Sequence, residues 1–93
     1  MVLCEEEMQY HAAYYAMEDG WYMAKVLDFP GVITQGRTLA SAKRMLRSAL
    51  QDMALWYVQD SQPFPRPNPK VKDKKAALVE PIRLLIKAKT GVA

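Results

Sequence analysis

Four prolines in seven residues, Pro63, Pro65, Pro67 and Pro69, constrain this chain more than any other feature. Proline fixes one backbone angle and carries no amide hydrogen, so neither a helix nor a central strand runs through such a stretch. The run is therefore read as extended and polyproline-like, and any helix before it must end by Gln62. It is also the one linker that the sequence offers. It divides the 93 residues into a core over 1–62, a proline-rich and basic linker over 63–75, and a C-terminal strand or arm over 76–93 that completes the sheet or an oligomer.

Within the core, glycine and proline punctuate three strands. Met8 to Met17 is rich in aromatic residues that suit a pleated, half-buried surface, with Tyr10, Ala12, Tyr14 and Ala16 on one face. Glu18-Asp19-Gly20 supplies a hairpin turn, since Gly20 takes the positive backbone angle such turns need. Trp21 to Leu27 resumes as a strand. Asp28-Phe29-Pro30-Gly31 breaks it, and Val32 to Gln35 forms a short third strand. Gly36 ends the sheet, and Thr38 is read as a helix N-cap whose hydroxyl accepts from a first-turn amide. Ala42, Met45, Leu46, Ala49, Leu50, Met53, Trp56 and Tyr57 then recur at three- and four-residue spacing, an apolar stripe to lie on the sheet.

Beyond the prolines, residues 78–87 fit two periods. Ile82, Leu84 and Ile86 alternate as in a strand, while Pro81 at a first helical position and Gly91 beyond the end suit a short helix. A strand is favoured, with Pro81 at an edge position or at the strand start.

Composition sets the remaining bounds. Hydrophobic residues make up 51% and charged residues 25%, as in an ordinary folded domain. A chain this short buries only about 60–65% of its unfolded surface, so a homo-oligomer, dimer or tetramer, is expected. One cysteine, Cys4, rules out an internal disulfide, and with the lone His11 it cannot complete a structural zinc site. The start lacks a secretory pattern and no stretch reaches membrane-spanning length, so the expected location is cytoplasmic, with no membrane contact. The net charge of +3 hides a polarity, because residues 1–20 hold five acids and no Lys or Arg, whereas residues 66–93 hold eight basic and two acidic side chains.

The series Asp19-Gly20-Trp21-Tyr22-Met23-Ala24, Phe29-Pro30-Gly31 and Thr34-Gln35-Gly36-Arg37-Thr38-Leu39, then an alanine- and leucine-rich helix and Pro63-Phe64-Pro65-Arg66-Pro67, resembles the HicB-like antitoxin family over roughly residues 8–69. Gly20, Pro30, Gly31, Gly36 and Thr38 are the structural motif positions of that resemblance. It implies an α+β, partial RNase H-like fold of order β-β-β-α-β. A three-stranded antiparallel meander is packed by one long helix, and a C-terminal strand lies beside the first. It further implies a protein of a toxin–antitoxin system that binds and masks a small HicA-like mRNA-cleaving toxin. Many family members also repress their own operon through a C-terminal DNA-binding module. The chain departs from the pattern in two ways. Only 24 residues follow Pro69, too few for a helix-turn-helix, and the net charge is basic where family antitoxins are often acidic.

No enzymatic chemistry is expected, and no cofactor. A metal-dependent nuclease needs several carboxylates converging on cations, yet Met8 to Met17 holds none, and Asp28 and Asp52 are isolated acids. There are no catalytic or metal-site candidates. His11 reads as a surface or hydrogen-bonded structural histidine. The aromatics Tyr10, Tyr14, Tyr15, Trp21 and Tyr22 read as core or interface rather than as stacking platforms. Partner-binding candidates are the acids of the head, Glu5, Glu6, Glu7, Glu18 and Asp19, facing a basic toxin. The alternative reading is a nucleic-acid-binding or transcriptional regulatory module, for operator DNA, that uses Lys70, Lys72, Lys74, Lys75 and Arg83 of the basic tail.

Overall fold

The computed structural model describes the backbone of residues 2–90 and the side chains of residues 7–85. Its elements are β1 (Val2–Ala16), β2 (Tyr22–Val26), β3 (Ile33–Gly36), α1 (Leu39–Gln59) and β4 (Leu78–Thr90). They form one four-stranded antiparallel sheet of order β3-β2-β1-β4 with the helix across one face. This is the expected β-β-β-α-β arrangement, and the segment that fitted two periods is a strand.

Each turn is made by the residues that announced it. Gly20 and Gly31 have φ of +86° and +89°, the left-handed region that costs glycine no steric penalty. Thr38 caps α1 reciprocally. Its hydroxyl accepts from the Ser41 amide at 3.0 Å, and the Ser41 hydroxyl accepts from the Thr38 amide at 3.0 Å, so two otherwise orphaned donors are satisfied. Gly36 allows β3 to run directly into this helix, since a Cβ there would stand 2.5 Å from the Ala42 backbone nitrogen.

Two elements differ from their sequence outlines. β1 starts at Val2 rather than Met8, because β4 pairs with it from Val2↔Thr90 to Tyr14↔Leu78. β2 reaches only Ala12 to Ala16 of β1, so the first half of β1 and the second half of β4 form a two-stranded ribbon beyond the body of the sheet. A pattern read along β1 alone cannot show a strand whose partner lies at the other end of the chain.

The second difference concerns α1. Only Ala42, Leu46, Leu50 and Ala54 are buried, a single row at four-residue spacing. The apolar stripe in the sequence is wider than the surface beneath it. Met45 and Trp56 are left 52% and 57% exposed, while Ala54, outside the expected stripe, is covered. Tyr10, Ala12 and Tyr14 of β1 join Ala24, Val26, Phe29, Val32, Ile82 and Leu84 in the core beneath the helix. Ala16, expected on that face, is exposed.

Residues 62–77 strap the fold together. The Gln62 amide donates to the Tyr57 carbonyl at the helix end. Phe64 packs against Phe29 and Tyr57, and the Tyr10 hydroxyl donates to the Pro65 carbonyl at 2.8 Å. The strap then meets Asp28 through Asn68 and reaches Tyr15 through Asp73. Tyr10 and Tyr15 lie on opposite faces of β1 by alternation, so the strap passes from the helix side of the sheet to the other side before entering β4.

Three tyrosines give this packing a pH signature. Tyr10, Tyr14 and Tyr15 are each pushed up to about 12, chiefly by burial, with help from the Asp28, Glu80 and Asp73 carboxylates respectively. An unfolded tyrosine ionises near 10, so their contribution to stability is whole below pH 10 and is lost as pH rises towards 12. Urea midpoints are expected to hold steady up to about pH 10 and then fall. A folded protein whose tyrosines all titrate near pH 10 by absorbance would contradict this.

Candidate functional site

The polar group that joins the most distant parts of the described fold is Asp28, just after β2. Its side chain is 2% exposed and lies 2.8 Å from Nδ1 of His11. One carboxylate oxygen accepts the His11 amide at 2.8 Å, and the other accepts the Asn68 amide at 2.9 Å in addition to the imidazole. An ionised carboxylate only accepts, so Nδ1 of His11 carries the hydrogen in this contact. The arrangement ties β1, the β2–β3 turn and the proline strap to one point.

That geometry fits a clamp better than a reacting group. Both Asp28 oxygens are already engaged by the chain's own donors, and among the described residues no three His, Cys, Asp or Glu side chains gather as a cation site would require. The sequence offered no signal for this hub, whose three members lie 17 and 40 residues apart. Proximity of that kind exists only in the fold.

The acids of the head do not form one surface. The side chains of Glu5 and Glu6 lie outside the described residues. Glu7 meets Nε of Arg83 at 3.1 Å, so one expected partner contact and one expected phosphate contact neutralise each other across β1 and β4. Glu18 and Asp19 sit in the β1–β2 turn, exposed, beside a shallow hollow that they share with Ala16 and Met17. Asp19 accepts the Trp21 amide at 3.0 Å and so shapes the turn. Ten residues, Met8 to Met17, separate Glu7 from Glu18, and the nine of them within β1 alone span roughly 30 Å at the usual rise.

The strap holds Lys70, Lys72, Lys74 and Lys75 closer together, all exposed. Asp73 stands among them. Its carboxylate accepts from the Tyr15 hydroxyl at 2.6 Å and from the Lys75 amide at 2.9 Å. These two hydrogen bonds, the tyrosine's foremost, hold its pKa below the usual range. The same carboxylate lies 3.9 Å from Lys25. Asp73 thus fixes the strap against the sheet face opposite the helix and leaves the lysine heads facing solvent.

A further surface escaped the sequence reading. Val32, Ile33, Ala49, Met53 and Trp56, with Gly31 and Asp52, line an open groove of about 600 Å³ between α1 and the start of β3. Its apolar walls are the part of the helix stripe that the sheet does not cover. The signal was present in the width of that stripe.

Comparison with known proteins places this geometry among relatives. Residues 4–65 match the UPF0150-like family, a span that takes in most of β1, all of β2, β3 and α1, and the strap as far as Pro65. Two proteins, each named "Antitoxin HicB", from Escherichia coli strain K12 and from Escherichia coli O157:H7, are 32% identical over 62 residues, which is 67% of this chain and 45% of theirs. The chain therefore spans about half the length of these curated relatives. Among solved structures, the crystal structure of the N-terminal domain of Burkholderia pseudomallei antitoxin HicB superposes with a TM-score of 0.62 at 19% identity, covering 89% of this chain and all of that one.

Proposed function

We propose a function from one premise: this chain belongs to the HicB-like antitoxin family. We infer that it is a non-catalytic, cytoplasmic antitoxin that binds and masks a small HicA-like mRNA-cleaving toxin. The observation that carries the reading is the match over residues 4–65, which takes in the three-stranded meander, the helix and the first turn of the strap together. The committed hydrogen bonding of Asp28 supports action by contact. Turn acids such as Glu18 and Asp19 suit long-range steering of a basic partner, since exposed charge acts on encounter more than on affinity.

Self-association accompanies this reading. β4 is an edge strand of the sheet, and although its Leu85 carbonyl accepts from Nε2 of Gln51 at 3.3 Å, it has no strand on its outer side; such edges take a further strand unless guarded. His11 turns its amide and carbonyl towards Asp28 and Leu27, so by antiparallel alternation Pro81, opposite it, faces the free edge with no donor to offer. Pairing with a second copy therefore belongs beyond Pro81, on the ribbon. Operator DNA is the second reading, supported by the four exposed strap lysines.

The experiment is co-expression with a small, basic HicA-like protein from the same source cell. That protein alone is expected to halt growth and cleave mRNA. With this chain, growth is expected to recover and the two to purify together. A protein that remains equally toxic beside abundant folded chain would refute the reading.

A further inference from the structure

We propose that the groove between α1 and β3 is the docking site for an apolar anchor flanked by Lys or Arg on the partner protein. This deepens the antitoxin reading and rests on it, by assigning the mask to a surface that the acidic head does not include.

The first support is exposure of the wrong chemistry for solvent. Trp56 is 57% exposed and lines the groove with Ala49 and Met53 of α1 and Val32 before β3, while Ile33, 60% exposed, borders it at the edge strand and shares a sheet face with its cross-strand partner Lys25. Contiguous apolar surface of this kind, with a tryptophan at its rim, is the usual core of a protein interface. A groove of about 600 Å³ accepts two or three large side chains.

The second support is charge, which selects the occupant. Residues 48–65 contain Asp52 and Asp60 and no Lys, Arg or His, within a chain whose net charge is +3. Asp52 lines the groove. Asp60 caps α1, whose last turn has no basic residue, so the negative end of the helix dipole is not offset there. The basic residues of α1, Lys43, Arg44 and Arg47, all lie in its first half. An apolar groove at a negative helix end complements a basic protein with an exposed apolar side chain. It repels nucleic acid.

The geometry also keeps the groove in shape. Gly31, with φ of +89°, turns the chain beneath Met53, whose methyl group lies 3.4 Å from where a Cβ would stand. The groove wall follows directly from the turn that Asp28 and Phe29 anchor on its other side.

The test is calorimetric titration of a basic, HicA-like protein, in an inactivated form, into the full chain and its Trp56→Ala, Asp52→Lys and Ser48→Ala variants. Trp56 and Asp52 take no part in the buried core, and unchanged thermal melts establish that each variant is folded. Trp56→Ala is expected to weaken binding by roughly 30-fold or more, as interface tryptophans do. Asp52→Lys is expected to weaken it about 10-fold and to flatten its salt dependence, with Ser48→Ala unchanged. Groove variants that bind like the parent, while Glu18→Lys or Asp19→Lys weakens binding, would overturn the inference and leave the antitoxin reading standing. A parent chain that binds no such protein would remove both. Loss of self-association in Trp56→Ala by sedimentation, with partner binding intact, would make the groove a contact between copies and also overturn the inference.

Discussion

Replacing Asp28 by alanine is expected to destabilise the fold by about 2–4 kcal/mol, through loss of several hydrogen bonds to one buried carboxylate. Three donors depend on this carboxylate, namely the amide and imidazole of His11 and the amide of Asn68. The carboxylate itself is 2% exposed, whereas His11 is half-buried and Asn68 exposed, so water can replace part of what is lost, and a donor left unsatisfied costs about 1–3 kcal/mol. A domain of this size has only about 5–10 kcal/mol in total, so the variant should lose a large part of it. Asp28→Asn separates shape from charge. It keeps one acceptor oxygen and turns an amide group towards a donor, and should lose roughly half as much. Equilibrium urea unfolding gives both numbers. A loss below about 1 kcal/mol in the alanine variant would show that the strap does not need this clamp. Amide exchange at Asn68 supplies the local readout, because its protection should vanish before that of the β1–β2 pairs.

Phe29→Ala should cost a similar amount by a different route. Phe29 is fully buried, with its ring centroid 5.1 Å from those of both Tyr10 and Tyr57 in edge-to-face contacts, and 6.3 Å from that of Phe64. Truncation of a buried phenylalanine costs about 3–5 kcal/mol, and each aromatic contact adds about 0.5–1.5 kcal/mol beyond the area it buries. Phe29→Leu refills most of the space and should cost much less. Equal losses for leucine and alanine would mean that ring geometry rather than volume holds the cluster. Asp28 and Phe29 are adjacent and both anchor the strap, through Asn68 and Phe64. Their double variant should therefore fall short of additive.

Much of the architecture was legible because its signals are local. Gly20, Gly31 and Thr38 act within a few residues of where they stand, and the structure uses each as its residue type dictates. What lay beyond reach was long-range. The early start of β1 depends on β4, some 80 residues away in sequence, and Asp28 acquires its meaning from His11 and Asn68. The candidate surfaces divide along the same line. The strap lysines are neighbours in sequence and remain so in space. The head acids form two sequence clusters, at 5–7 and 18–19, that the length of β1 sets apart, and Glu7 is paired with Arg83. The groove lay between these cases. Met45, Ala49, Met53 and Trp56 were visible as apolar, but which of them the sheet would cover depended on how α1 crosses it.

The pairing of the first strand with the last carries a consequence for synthesis. On the ribosome, Val2 to Tyr10 emerge early and have no partner until Ile82 to Thr90 have followed. The helix and the hairpin can form meanwhile, but the sheet cannot close. Contacts so distant in sequence slow folding, and a strand left waiting is open to capture. A nascent chain of this protein therefore leaves its first strand open to holding factors, and to sister chains on a polysome, until β4 has emerged.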